Sequence, residues 1–403
     1  VEIRDAVQRF QTSGDLALGE MTIETLDTMA ADYDPFDQTD EQKAFHALRF
    51  RGLDAESQQN FVVGFRNFLA DNSKTPQALA QRESFLRSKG FDPAADTDLG
   101  FEQAAEVMLE DSVFAARTRL QVGCQMLMWD RARRVFHRAP ETYLAAMEAT
   151  DNSGPGSLEL NPDLDIPHYA RYEIHEQPGG FVGDPFAGWL YHHAVNLGYY
   201  QGLSDHEEIH LSIAKAHRLP RDGQMRRALD MGCGTGQSTT AIKERFPNAE
   251  VWGIDVGGPM VRYAHHRAAT RGIAVHFAQR LAEDCKFPDG HFDMVTDHIM
   301  FHEIAPEFIE KAVAEVYRVL RPGGVFNHVE LGTVGHPKVR LNDTVAGKAG
   351  RWLDGRINVE PWKIAYTLID FPAMLQKVGF YVDLDIPSNR WNRYPGVLAI
   401  KPE

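Results

Sequence analysis

The chain has 403 residues, 42 basic and 57 acidic side chains, and a formal net charge of −15, with 43% hydrophobic and 25% charged residues. That length has room for two or three domains and buries a core without staples. The mixture is that of a soluble globular protein rather than a disordered one. The acidity excludes nucleic acid and an anionic membrane face as partners, since both select clustered Lys and Arg.

The charge is unevenly spread. Residues 1–222 carry 20 basic and 36 acidic side chains, 22 of those acids within the first 111 residues, whereas residues 223–403 carry 22 and 21. Two different modules are therefore expected, 1–222 and 223–403. Cys124, Cys233 and Cys285 are odd in number and far apart. They form no disulfide framework and no CxxC metal site, which fits a reducing cytoplasm. The opening VEIRDAVQRF is polar and charged. It is unlike a secretory signal, and its Val start is taken as a removed initiator or tag. No apolar run reaches the ~18 residues that a membrane span requires.

Along the first 150 residues the apolar spacing predicts amphipathic helices over Ile23–Met29, Gln42–Arg49, Gln58–Ala70, Pro76–Lys89 and Phe101–Leu109. A long helix is expected from a Ser112 cap to about Phe136, with Phe114, Leu120, Leu127 and Val135 inward, and another opens at Pro140 and ends near Thr150. Asp151–Pro167 is rich in Pro, Gly, Asn and Asp and is expected to be a loop. Pro178–Pro185 leads into an aromatic, His-rich stretch, and Ser204 is expected to cap a helix over Asp205–His217. The break at Leu219–Gln224 is the expected domain boundary.

From Arg226 strands and helices alternate, the pattern of an α/β domain with a doubly wound sheet. Strands are expected at Arg227–Met231, Glu250–Asp255, Ile273–Ala278, Phe292–Asp297, Gly324–Glu330, Tyr381–Asp385 and Val397–Lys401, seven in all. Helices are expected at Gln237–Phe246, Pro259–Arg271, Pro306–Leu320 and Phe371–Val378, with residues 279–291 mostly loop.

The first of these strands ends in Asp230, and Gly232, Gly234 and Gly236 follow at alternate positions before a helix. Glycines there permit positive φ and close approach of a ligand to the backbone. The helix amino terminus favours an anionic group. Nineteen residues past Gly236 the second strand ends in Asp255, placed to hold both hydroxyls of a ribose. The spacing is G-x-G-x-G rather than the dinucleotide pattern G-x-G-x-x-G. Asp230 would also repel a phosphate and hold a cationic amino acid group.

LDMGCGTGQST, VWGIDVGGPMVRYA, FPDGHFDMVTDHIMFHEI and YRVLRPGG occur in that order. Over about Arg226–Lys401 the chain resembles the class I S-adenosylmethionine-dependent methyltransferases, a Rossmann-like fold. The resemblance implies that Asp230 meets the amino group of the methionine moiety and that Gly232, Gly234 and Gly236 line it. Asp255 would hold the ribose hydroxyls, and Val256 would pack on the adenine. Where many relatives carry an Asp for the adenine amino group this chain has Leu281, so Ala282 and Glu283 would offer backbone groups there, with Glu283 or Asp284 substituting for the missing Asp. Asp297 and His298 would lie beside the sulfonium.

Methyl transfer aligns donor and acceptor and in some cases removes a proton from the acceptor. His302 and Glu303, after the fourth strand, are the catalytic candidates. His302 capping the next helix or packing on the adenosine is the alternative. Glu330 and His328, ending the fifth strand, are further pocket candidates. Tyr172, His175, Trp189, Tyr191, His192, His193, Tyr199 and Tyr200 form an aromatic and imidazole cluster that serves either as an acceptor wall, with His175, Trp189, Tyr191 and His192 touching substrate, or as an interdomain core. Pro178–Asp184 has the glycines of a lid or of a plain turn. Residues 332–368 are a long insertion with Arg351, Trp352, Arg356, Trp362 and Tyr366, expected to cover the pocket with Trp362 against the acceptor.

His206 and His210 match H-E-x-x-H, but no third ligand accompanies them, and no metal is expected. The reading is thus a methyltransferase using S-adenosylmethionine on a small organic acceptor, oxygen first. The helical region would supply substrate recognition and a homodimer interface. Rival readings are S-adenosylmethionine-dependent decarboxylation or hydroxylation, a non-catalytic partner subunit, and a zinc hydrolase.

Overall fold

The structure is a computed structural model that describes residue 50 and residues 53–195, 207–385 and 396–403. The helices expected over Ile23–Met29 and Gln42–Arg49, the Ser204 cap, Tyr199, Tyr200 and His206 lie outside the described residues.

A sheet of eight strands organises the C-terminal half. In chain order these are β1 (Ser157–Glu159), β2 (Arg227–Met231), β3 (Glu250–Asp255), β4 (His276–Gln279), β5 (Phe292–His298), β6 (Leu320–Val329), β7 (Tyr381–Asp383) and β8 (Val397–Ile400). Their order across the sheet is β1-β4-β3-β2-β5-β6-β8-β7. β1 through β6 pair in parallel, and β8 is antiparallel to both of its neighbours. The chain winds from β2 to one side and from β5 to the other, so the crevice at the carboxyl ends of β2 and β5 is a topological switch point, where such sheets bind ligands. Their registers place Met231 beside Asp297 and Asp230 beside Thr296.

The count of strands corrects the expected seven. β1 arises inside Asp151–Pro167, which was expected to be a loop, and Ser157 pairs with His276 at the sheet edge. Three residues are too few for a periodic signal. The pairing depends on the close approach of Gly156, where a Cβ would stand 1.8 Å from the Val275 carbonyl oxygen.

Ahead of the sheet come α1 (Leu53–Asn72), α2 (Pro76–Ser88), α3 (Phe101–Leu109), α4 (Ser112–Arg138) and α5 (Pro140–Glu148). Thr75 caps α2 through its hydroxyl, which accepts the Ala78 N–H, and Pro76 opens the helix. The cap of α4 is Asp111, whose carboxylate accepts the Val113 N–H at 3.0 Å, and not the expected Ser112. The buried face of α4 is Cys124, Gln125, Met128, Trp129, Ala132 and Phe136, whereas Leu120 and Leu127 are each 48% exposed. The helix is rotated by about one residue from the expected face, because the face is chosen by the helices packed against it and not by the hydrophobic count alone. Among the acids from residue 54 to 111, all but Glu56 and Asp111 are exposed, so the acidity of these helices is a solvated face.

Two further helices, α6 (Ala187–Ala194) and α7 (Glu208–Ala216), lead into β2. The sheet is flanked by α8 (Gln237–Arg245), α9 (Gly258–Thr270), α10 (Pro306–Val319) and α13 (Phe371–Val378). The long insertion contains α11 (Val345–Ile357) and α12 (Lys363–Thr367). α11 packs on the preceding helices through Leu86, Ala104, Ala105, Met108, Val345 and Ala349. Lys348 fastens it by donating to the carbonyls of Thr97 and Leu99 at 2.6 and 3.0 Å. From residue 48 onward the chain forms one compact unit.

α6 crosses α9 with Gly188 against the Tyr263 ring. A Cβ on Gly188 would fall 2.2 Å from the Tyr263 Cβ, so the contact admits no side chain. Gly188→Ala is expected to force the helices apart and to destabilise the protein by about 1–3 kcal/mol. Urea denaturation of the two proteins checks this, and an unchanged midpoint would contradict it.

Candidate active site

A pocket opens at the switch point. Its floor is Gly232, Gly234, Asp255 and Val256 from the β2 and β3 ends, with Ala282 to one side and His298 at the end of β5. Tyr191, Glu303 and Ile304 complete the wall with Tyr169, Phe181 and Met300.

The glycine turn owes its shape to backbone conformation. Gly232, Gly234 and Gly236 have φ of 68°, 51° and 75°. A Cβ on Gly234 would meet only the Met260 methyl at 3.9 Å, so this position faces open space. One on Gly236 would strike Phe277 at 2.7 Å. Gly236 does not line the pocket; it seats the start of α8 against the sheet.

Three aspartates stand at these strand ends, but only Asp255 lines the pocket; Asp230 and Asp297 are buried and do not line it. Asp255 accepts the Gly234 N–H at 2.9 Å on one oxygen and the Gly257 N–H at 2.8 Å on the other. Burial raises its carboxyl to about 6 against those two bonds. Asp230 accepts the Thr239 hydroxyl at 2.6 Å on Oδ2, while its buried Oδ1 has no hydrogen-bond partner. Burial pushes it to about 7, opposed by the Thr239 bond and reinforced by the charges of Asp297 and Asp255. Asp297 meets His328 Nδ1 at 2.7 Å through Oδ1 and leaves a buried Oδ2 unbonded; burial raises it to about 6. Burial lowers the His298 imidazole to about 4, so it is neutral.

His302 and Glu303 sit on a 3-10 turn (Phe301–Glu303) directly after β5, but they face differently. His302 is buried, with Nδ1 2.8 and 2.9 Å from the two oxygens of Glu330 at the end of β6. Burial opposes its charge, but the Glu330 carboxylate raises its pKa overall and is itself held below its usual range. Glu330 also accepts the Leu331 and His302 backbone N–H groups, and it does not line the pocket. Glu303 faces the pocket; its Oε1 lies 3.6 Å from His175 Nε2 and 4.0 Å from His302 Nε2.

The aromatic and imidazole cluster divides. Tyr191 lines the pocket and His175 stands behind Glu303. Trp189 packs on Tyr263 with ring centroids 4.7 Å apart, His192 Nδ1 lies 2.7 Å from the Tyr263 hydroxyl, and His193 stacks on Phe50. These three belong to the core between α6 and α9 and do not reach the pocket. Trp362 lies edge-on to His168 and Tyr172, outside the pocket wall. Glu283 turns its carboxylate to the Tyr169 hydroxyl at 2.8 Å, leaving Ala282 at the wall. Asp284 is instead paired with Lys286.

Arg280, Ile299 and Phe181 also line the pocket, and nothing in residue type or spacing points to them. Ile299 has φ of 57°, a left-handed backbone that a β-branched residue adopts only when its surroundings enforce it. His210, the second histidine of H-E-x-x-H, has Nδ1 3.1 Å from the Ser238 hydroxyl. Among the described residues no group of three His, Cys, Asp or Glu is arranged to hold a metal ion. No described helix is long and apolar enough to cross a membrane.

Comparison with known proteins gives this geometry a class. Residues 228–324 match the family model described as a methyltransferase domain. That match, and the relatives named below, support a class I S-adenosylmethionine-dependent methyltransferase domain in the C-terminal part of the chain. Among curated relatives, the demethylmenaquinone methyltransferase of Thermus thermophilus is 46% identical over 99 residues, 25% of this chain and 44% of that protein. A ubiquinone/menaquinone biosynthesis C-methyltransferase of Cupriavidus metallidurans is 33% identical over 147 residues, 36% of this chain and 58% of that one. The chain thus spans about half the length of these relatives. The YcgJ protein of Bacillus subtilis, a solved structure, is 22% identical and covers 49% of this chain and 99% of its own, with a TM-score of 0.36.

The residues present fit that cofactor. The unbonded Oδ1 of Asp230 suits an ammonium group, and the open side of Gly234 is a cradle that a Cβ would partly fill. Each Asp255 oxygen accepts one N–H and keeps a lone pair for a hydroxyl.

The raised carboxyls have a cost in stability. The folded chain keeps Asp230 neutral over a range in which the unfolded chain ionises it, so its burial costs stability progressively as pH rises from about 4 toward 7. Asp230→Asn, which keeps a Thr239 acceptor, is expected to stabilise the cofactor-free protein at pH 8. The gain should grow by roughly 1 kcal/mol per pH unit between about pH 4 and 7, level off above 7 and vanish below 4. Urea melts at pH 4, 6 and 8 measure it; a gain independent of pH would contradict the assignment.

Proposed function

We propose that the chain is a methyltransferase that uses S-adenosylmethionine to methylate a small organic acceptor, with Glu303 as the group that takes the acceptor proton. The observation that carries this reading is the pairing, in one pocket, of the Gly232–Gly234 cradle and Asp255 with a carboxylate, Glu303, on the opposite wall.

When bound, S-adenosylmethionine supplies a methyl group on a positively charged sulfur. Asp230 takes its ammonium group, Asp255 its ribose hydroxyls, and the start of α8 favours its carboxylate. Val256 and Ala282 offer apolar contact to the base. His298 stays neutral and therefore does not repel the sulfonium. Tyr169, Tyr191 and Phe181 hold the acceptor by aromatic contact and exclude water. Glu303 receives the proton, and the buried His302–Glu330 pair fixes the turn that carries it.

An oxygen acceptor is our first reading, because a hydroxyl loses its proton readily to a nearby base. A ring carbon is the second, favoured by the identity with the Thermus and Cupriavidus proteins, whose names refer to demethylmenaquinone and to C-methylation. Helices before residue 222 contribute Tyr169, Phe181 and Tyr191, or the segments that carry them, to acceptor recognition. The exposed acids of residues 54–111 favour neither a cationic nor an anionic acceptor.

Two variants separate binding from turnover. Asp255→Ala is expected to weaken S-adenosylmethionine binding in calorimetry by about 1.5–3 kcal/mol, the worth of hydrogen bonds to a charged group; unchanged affinity would remove Asp255 from the site. Glu303→Gln is expected to bind the cofactor normally and to lower methyl transfer by about 10²–10⁴-fold. Release of S-adenosylhomocysteine across a panel of phenols, hydroxy acids and quinols gives the rate. Full turnover in the variant would exclude Glu303 as the base, and turnover of labelled cofactor without S-adenosylhomocysteine would exclude methyl transfer.

A further inference from the structure

We infer that His175 and Glu360 act through Glu303 as a positioning pair that receives the proton Glu303 takes from the acceptor. This rests on the reading of Glu303 as the base.

His175 is held where a histidine is not expected. Its φ is 59°, in the left-handed region, and so is that of Glu176 beside it. Three segments fix its backbone. Its N–H donates to the Asn358 carbonyl at 2.5 Å, and its carbonyl accepts the Trp129 indole N–H at 2.6 Å and the Gln125 amide at 3.1 Å. Gln125 also donates to the Asn358 side chain at 2.8 Å, tying α4 to the insertion around this one residue. Strained backbone that is this firmly bonded marks a position held for its side chain.

The imidazole bridges two carboxylates. Nδ1 lies 3.2 Å from Glu360 Oε1 and Nε2 lies 3.6 Å from Glu303 Oε1. Glu360 is nearly fully buried, and its Oε2 is 2.7 Å from Lys363 Nζ and 3.8 Å from His302 Nε2. Burial opposes its charge, but the His175 hydrogen bond and the charges of His175, Lys363 and His302 hold it at about 2. It is therefore a permanent carboxylate placed to accept an Nδ1–H, and a neutral His175 bonded in that way would present Nε2 to Glu303. Lys363 is braced in turn by Asp354 at 2.6 Å. Glu176, next in the chain, has a carboxyl raised to about 7 by burial.

The proton balance is simple. As the acceptor's bond to hydrogen breaks and its bond to the methyl carbon forms, Glu303 gains the proton. His175 Nε2 takes it from the Glu303 carboxyl, Nδ1–H stays on Glu360, and the imidazolium formed lies between two carboxylates. Both Glu303 and His175 are slightly accessible, at 18% and 15%, so the proton passes from the imidazole to water. His302, already paired with Glu330, is not needed as a carrier.

The test uses the full chain labelled with ¹⁵N-histidine, saturated with S-adenosylhomocysteine and followed by NMR from pH 4 to 9, with His175→Gln identifying the resonance. His175 is expected in the Nδ1–H form when neutral. Its titration midpoint should fall by about one pH unit in Glu360→Gln and by about half a unit in Glu303→Gln, as each removes a facing charge. Glu303→Gln, at the pocket surface, decides the matter if Glu360→Gln does not fold. An Nε2–H form, or midpoints unmoved by either variant, would overturn the inference. Calorimetry of S-adenosylhomocysteine on the same samples keeps the two readings apart. Absence of binding would defeat the methyltransferase assignment; normal binding with an indifferent His175 would defeat only the relay.

Discussion

Two adjacent parallel strands end in buried carboxylates, Asp230 and Asp297, that each keep one oxygen away from any donor. Burying a carboxylate without full hydrogen bonding is costly, and the neighbouring Asp297 charge adds to the cost of ionising Asp230. A chain selected only for stability would place apolar residues here. Keeping the pair leaves two buried carboxyl oxygens without hydrogen-bond partners at the strand ends, and burial holds both groups well above the usual carboxylate range.

The opposite wall solves a different problem. On the proposed reading, Glu303 needs a fixed orientation and a place for the acceptor proton. Its orientation comes from His302 bonded to Glu330 at the end of the neighbouring strand. Its surroundings come from outside the sheet: α4 and the insertion meet at His175, through Trp129, Gln125 and Asn358. The helical layer is thus joined to the chemistry by hydrogen bonds to one loop residue, and its acidic outer face has no part in it.

The central strands β2 and β3 could be read from the sequence residue by residue, because alternating strands and helices leave strong periodic marks, whereas β4 (His276–Gln279) and β6 (Leu320–Val329) differ from the expected Ile273–Ala278 and Gly324–Glu330. β3 and the helices at Phe101–Leu109 and Phe371–Val378 fall within their expected limits without change. The cradle was equally open to reading, since a turn with three positive-φ glycines needs those residues in that order. Other features carry no local mark. β1 exists only by pairing with β4. Which face of α4 turns inward is decided by its partners. Trp189, His192 and Tyr191 share one short helix, yet only Tyr191 reaches the pocket, because Gly188 brings α6 down onto Tyr263 and turns the other two into the core. Glu360 lies in an insertion whose course no spacing rule describes.

The fastening of α11 bears on how the protein is made. Lys348 bonds to carbonyls 251 and 249 residues earlier in the chain, and Val345 and Ala349 complete a cluster begun by Leu86 and Met108. During synthesis the early helices therefore leave the ribosome with an apolar seam uncovered, and it stays open until nearly the whole sheet has been translated. Contacts of such sequence separation form late and slowly. The exposed acids of those helices give such chains like charge, and like charge disfavours contact between them while the seam is uncovered.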